Sequence, residues 1–146
     1  MIVALLVLAA CSGPAPLPSG AIAVPTDENV VPSEQAGILC TLSATIPPVA
    51  GVLEGDPTDP TWPVWLRADD GRQMFVRWPR GFSVRFDPSP TLLDETGAAF
   101  LLAGSPLTLA QVGADPSFGT KDRPYTARGL IETGLGHEEH CYVQKG

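Results

Sequence analysis

Between Trp62 and Phe86, apolar and polar side chains alternate with a period of two in three short runs, the pattern of half-buried β-strands. Leu66 and Ala68 fall on one face, Trp65 and Arg67 on the other. Met74, Val76 and Trp78 oppose Phe75 and Arg77, and Phe82, Val84 and Phe86 alternate with Ser83 and Arg85. Asp69-Asp70-Gly71-Arg72 joins the first two runs, and a glycine after two aspartates suits a tight hairpin turn. In Trp78-Pro79-Arg80-Gly81 the proline removes a ladder donor and the glycine permits positive φ, so a second turn falls there. The pattern therefore predicts a three-stranded meander at the centre of the chain.

On either side the runs are shorter. Residues 38–42 and Gly51-Val52-Leu53-Glu54-Gly55 read as strands, and Asp56-Pro57-Thr58-Asp59-Pro60 between them and the meander reads as a rigid Asx-turn. A calcium site made from its carboxylates is the alternative reading of that turn. Residues 91–97 form a further extended piece, and 98–103 with 107–112 read as a hairpin turning at Gly104. A polar loop over 113–128 follows; then Gly129-Leu130-Ile131-Glu132-Thr133-Gly134 echoes the pattern at 51–55, and Cys141-Tyr142-Val143 closes the chain. About six to eight short strands without a helical run predict an all-β fold. The expected architecture is a small, closed, OB-like β-barrel, because closure removes exposed sheet edges, with a β-sandwich as the alternative. In either, Leu66, Met74, Val76, Val84, Phe86, Leu102, Leu107 and Leu109 should share the core.

Composition supports the same class and bounds the function. A chain of 146 residues suits one domain, and 15 glycines with 16 prolines favour turns over helices. The net charge of −7 argues against a general nucleic-acid binder. Residues 11–36 are rich in Pro, Ser, Gly and Ala and lack aromatic residues, which predicts a flexible tether, with a partly docked strand at Val30-Val31 as the alternative. The folded all-β domain is then expected over 37–146.

The first ten residues, MIVALLVLAA, are apolar and end in small residues, the composition of a signal-peptide hydrophobic region and too short to span a bilayer. Leu8-Ala9-Ala10-Cys11 resembles the lipobox of bacterial lipoprotein precursors, and Ser12 and Gly13 also fit, although no Lys or Arg precedes Cys11. The resemblance covers about a dozen residues. It implies cleavage before Cys11, a diacylglycerol on its sulfur and an acylated amino group, such as a palmitoyl amide. The mature protein would then be held on the membrane of the bacterial cell envelope, outside the cytoplasm. With Cys11 assigned to lipid, Cys40 and Cys141 remain as a disulfide pair suited to that compartment, a reduced pair or a metal site being the alternative. Such a bridge would close a loop of about 100 residues, for which the chain-entropy model gives about 4.7 kcal/mol.

Candidate binding chemistry concentrates at Arg77, Trp78, Arg80 and Arg85, where cationic forks and aromatic planes can stack on sugars or grip carboxylate and phosphate. Envelope polysaccharide, an envelope protein or an anionic small molecule are the partners expected there. The structural alternative places Trp78 and Phe82 in the core and pairs the arginines with nearby acids. His137-Glu138-Glu139-His140-Cys141 offers imidazole, carboxylate and thiolate, so a metal-binding or metal-delivery protein using His137 and His140 is the second functional reading. The spacing is not that of a zincin helix, and on a strand two histidines three apart point to opposite faces. Neither a catalytic motif nor a cofactor-binding fingerprint appears in the chain, so the reading is a binding or structural module rather than an enzyme.

Overall fold

The computed structural model describes residues 15–32, 49–109, 118–127, 129–133 and 139–144. The fold is all-β, and the described residues contain no helix. Fourteen short strands run in chain order: β1 Ala21–Ala23, β2 Thr26–Asp27, β3 Val30–Pro32, β4 Val49–Gly55, β5 Val64–Arg67, β6 Gln73–Met74, β7 Val76–Pro79, β8 Ser83–Arg85, β9 Thr91–Leu93, β10 Ala99–Leu102, β11 Pro106–Leu109, β12 Tyr125–Thr126, β13 Gly129–Thr133 and β14 Glu139–Gln144. They form a seven-stranded sheet in the order β3-β14-β13-β11-β4-β5-β6, a four-stranded sheet β1-β8-β9-β10 and a three-stranded sheet β12-β7-β2. None of the three closes on itself among the described strands, so the closed barrel expected from the sequence is not what these strands form.

One core serves all three sheets. Val84, Leu92 and Leu101 of the four-stranded sheet, Leu53, Val64, Leu66 and Leu109 of the seven-stranded sheet, and Val76 and Trp78 of the three-stranded sheet are fully excluded from water. Burying each such side chain is worth about 1.5–3 kcal/mol relative to exposure. Phe82 joins the layers: its ring lies edge-on to Phe100 at 5.0 Å and to Tyr142 at 5.5 Å, and parallel to Trp78 at 6.3 Å.

The first hairpin forms where the alternation places it. β5 pairs antiparallel with β6, Leu66 opposite Met74. In the turn, the Ala68 amide donates to the Arg72 carbonyl at 2.9 Å, and the Asp70 carboxylate accepts from the Arg72 amide. The meander does not continue, however. β6 ends at Met74, and Phe75 leaves the β5 edge: its amide donates to Gly119 and its carbonyl accepts from Tyr125, both at 2.8 Å. The chain thereby changes from an antiparallel partner to two parallel ones, β12 and β2, and β7 shares no ladder with β8. Phe75 is buried as well, against its alternating assignment, because its ring packs edge-on to Trp62 at 5.4 Å.

Two further expectations change. The segment from Ala15 to Pro32 is not a free tether: β1 pairs with β8, β2 with β7 and β3 with β14, and Val24, Val30 and Val31 are buried. The alternative of a docked strand at Val30-Val31 is the one that holds. The run at 98–103 and the described part of the run at 107–112 do not form a hairpin either, since β10 pairs with β9 while β11 lies between β4 and β13. The hairpin turns instead at Asp94-Glu95-Thr96-Gly97, where the Asp94 carboxylate accepts from the Thr96 amide and hydroxyl and from the Ala98 amide. The two segments with the echoed glycine pattern, β4 and β13, flank the same strand.

Candidate functional site

Trp78 lies at the centre of the fold and has no exposed surface. Its ring therefore packs rather than presenting a stacking platform, in agreement with the core reading of Trp78 and Phe82. The arginines behave otherwise. Arg77, Arg80 and Arg85 are exposed, and among the described residues no acid lies within ion-pair distance of any of them. The cross-strand pairing expected of this sheet occurs elsewhere, between Arg67 Nε and Glu54 Oε1 at 2.5 Å, where the Trp65 indole also donates to Glu54 Oε2 at 3.3 Å.

The structure separates these three arginines. Arg77 stands on β7 opposite Thr126, and Arg85 on β8 between Ala21 and Thr91. Of the three, Arg80 lines a groove of about 970 Å³, together with Pro16, Leu17, Glu28, Phe82 and Glu95. Local chemistry builds this groove from three places in the chain. On one side the Arg80 amide donates to the Val30 carbonyl at 2.9 Å, tying the base of the arginine to β3. Next to it Gly81 adopts φ +89°, and a Cβ there would stand 2.8 Å from the Glu95 Cβ, so only glycine lets the 80–81 turn approach the 94–97 turn this closely. The third wall is the segment 15–18, which reaches the groove because β1 is fastened to β8.

The acids in the groove are held by their own neighbours. Glu28 accepts from the Thr26 hydroxyl at 2.7 Å, Asp94 is occupied by its turn, and Glu95 accepts from the Tyr142 hydroxyl at 3.4 Å. Burial, and secondarily the Glu95 charge, hold the Tyr142 phenol well above the ordinary tyrosine range, so it stays a protonated donor. The groove is thus lined by one arginine that makes no ion pair among the described residues and by carboxylates that retain free lone pairs. It can engage an anionic group directly and an adjacent cationic donor through Glu28 or Glu95. Those two acids and Leu17 do not stand out in the sequence; only the turn chemistry of Asp94-Glu95-Thr96-Gly97 hints that this loop is ordered.

Cys11, Cys40 and His137 lie outside the described residues, so the lipidation, disulfide and metal expectations attached to them do too. Of Cys141 and His140 the backbone is described: both are in β14, opposite Leu130 and Ile131. Asp56 and Asp59 form the expected Asx-turns. Asp56 accepts from the Thr58 amide and hydroxyl, and Asp59 from the amides of Thr61 and Trp62. Among the described residues no group of three or more His, Cys, Asp or Glu side chains is arranged to hold a metal ion. Comparison with protein-family models, with curated proteins and with solved structures finds no match to this chain.

Proposed function

We propose that this protein is a bacterial envelope lipoprotein, anchored in the membrane through acylated Cys11, whose all-β module works by binding through the groove at Arg80. The anchoring rests on Leu8-Ala9-Ala10-Cys11 at the end of the apolar leader. A single acyl chain binds membranes only marginally, and two or three chains make the attachment stable. Of the two architectures considered for the module, three open sheets around a common core favour a layered, sandwich-like arrangement over an OB-like barrel.

The observation that carries the binding reading is the isolation of Arg80. An exposed arginine held at its backbone by β3, lining a groove and without an acid partner among the described residues, keeps its planar fork of donors available for phosphate or carboxylate. Metabolic labelling with an alkyne fatty acid tests the anchoring. The full-length protein should take up label in its bacterial host and Cys11→Ser should abolish it; label that persists in the variant would overturn the assignment.

A further inference from the structure

We infer that the Arg80 groove lies against the bilayer and takes the headgroup of a phospholipid bearing both a phosphate and a primary ammonium. The inference rests on the anchoring through Cys11 proposed above, and it turns on how little chain separates that residue from the groove. Only three residues lie between Cys11 and Ala15, four steps along the chain, and Ala15 is itself part of the groove wall. At about 3.3–3.6 Å per extended residue, this places Ala15 no more than roughly 14 Å from the acylated cysteine. A free tether over 11–36 would have left the groove's distance from the membrane open; docking of β1, β2 and β3 fixes the 15–32 segment to the domain, so the groove wall at Ala15 stays within that reach of the anchor.

The chemistry of the groove matches such a surface. Leu17, on its lip, is the most exposed of the large apolar side chains among the described residues, at 49%, and sits where the covalent attachment would bring it to the interface. Charge then selects the lipid. A protein of net charge −7 is repelled by an anionic surface, whereas a zwitterionic headgroup can place its phosphate on Arg80 and its ammonium on Glu28 or Glu95. A primary ammonium donates hydrogen bonds to carboxylates, and a trimethylammonium has none to donate.

The test uses the full-length lipidated protein in vesicles of phosphatidylethanolamine and phosphatidylcholine, with a photoreactive phenylalanine in place of Leu17 or, as a control, of Gln73 on the opposite edge strand of the seven-stranded sheet. Mass spectrometry of the same samples establishes whether Cys11 is acylated. The expected result is light-dependent capture of labelled phosphatidylethanolamine at position 17 and little at 73. That capture should fall severalfold with Arg80→Ala in a protein that melts at the parent's temperature, and should be weak for labelled phosphatidylcholine. With Cys11 acylated, equal capture at 17 and 73, or none at 17, overturns the placement and leaves the anchoring intact. Equal capture of the two lipids, or no change with Arg80→Ala, overturns the headgroup assignment. An unacylated Cys11 overturns the anchoring and the placement together.

Discussion

Asp59 Oδ2 accepts a hydrogen bond from Lys121 Nζ at 2.8 Å, across 62 residues of sequence. The same carboxylate caps the amides of Thr61 and Trp62 through Oδ1, so one side chain both shapes the turn before β5 and fastens the 118–127 segment over it. Lys121 also stands 5.3 Å from the centre of the Phe75 ring, the residue at which the central strand changes partners. The Lys121 hydrogen bond, followed by those from Trp62 and Thr61, holds the Asp59 carboxyl down at about 2.

Because the folded value lies below the ordinary 3.8, Asp59 favours the folded state at any pH above that value, and the contribution fades as pH falls through about 2. Asp59→Asn should therefore lower stability at neutral pH, and its difference from the parent should shrink as the solution is acidified. Urea denaturation at a series of pH values measures this. The ion pair is exposed, so 1 M salt should also reduce the difference.

Tyr142 gives the opposite sign at the alkaline end. A phenol whose value is raised on folding stabilises the protein fully below the unfolded value near 10, and stability falls as pH rises beyond it. Tyr142→Phe keeps the ring against Phe82 and Phe100 and loses a single long hydrogen bond to Glu95. Thermal melts should show the variant declining less steeply than the parent above pH 10.

Trp78→Ala should destabilise by about 3–5 kcal/mol, the cost of removing a large buried aromatic side chain, as measured by chemical denaturation. Trp78 Nε1 has no hydrogen-bond partner among the described residues, so Trp78→Phe removes an unsatisfied donor along with part of the ring. It should cost clearly less than the alanine variant.

At the β9-β10 hairpin, Leu101 is buried and Leu102 is 39% exposed, the reverse of the assignment that strict alternation gives to Leu102. The register shifts between Ala99 and Leu101, and a bulge of this kind moves every later side chain to the other face. Leu101→Ala should cost about 2–5 kcal/mol, whereas Leu102→Ser should stay within about 0.5 kcal/mol of the parent. Paired urea titrations distinguish the two.

Legibility in the sequence followed the range of the interaction. The Asp69-Asp70-Gly71 hairpin and the Asx-turns at Asp56 and Asp59 depend on neighbours, and the residue types there announce them. Leu66, Met74, Val76, Val84, Leu107 and Leu109 are buried as their alternation requires, and Phe86 is partly so. The break at Phe75 was not legible, because its cause is the backbone of Gly119 and Tyr125, more than 40 residues away. The docking of 15–32 was legible only at Val30-Val31, read as the alternative to a tether: composition averaged over the segment obscured Val24 and the pairing of β1 and β2, and the partner of β3 is β14, at the other end of the chain. For the site, Arg80 was legible as an exposed cation beside a glycine turn. Its groove was not, since the walls come from the 94–97 turn and the 15–18 segment.

Cys11 lies four positions before Ala15 in the sequence, and its chemistry is the point on which the functional account depends. Mass spectrometry of the protein purified from bacterial membranes should find a mature chain beginning at Cys11 and carrying a diacylglycerol on its sulfur. An N-terminus elsewhere, or an unmodified Cys11 thiol, would contradict the account.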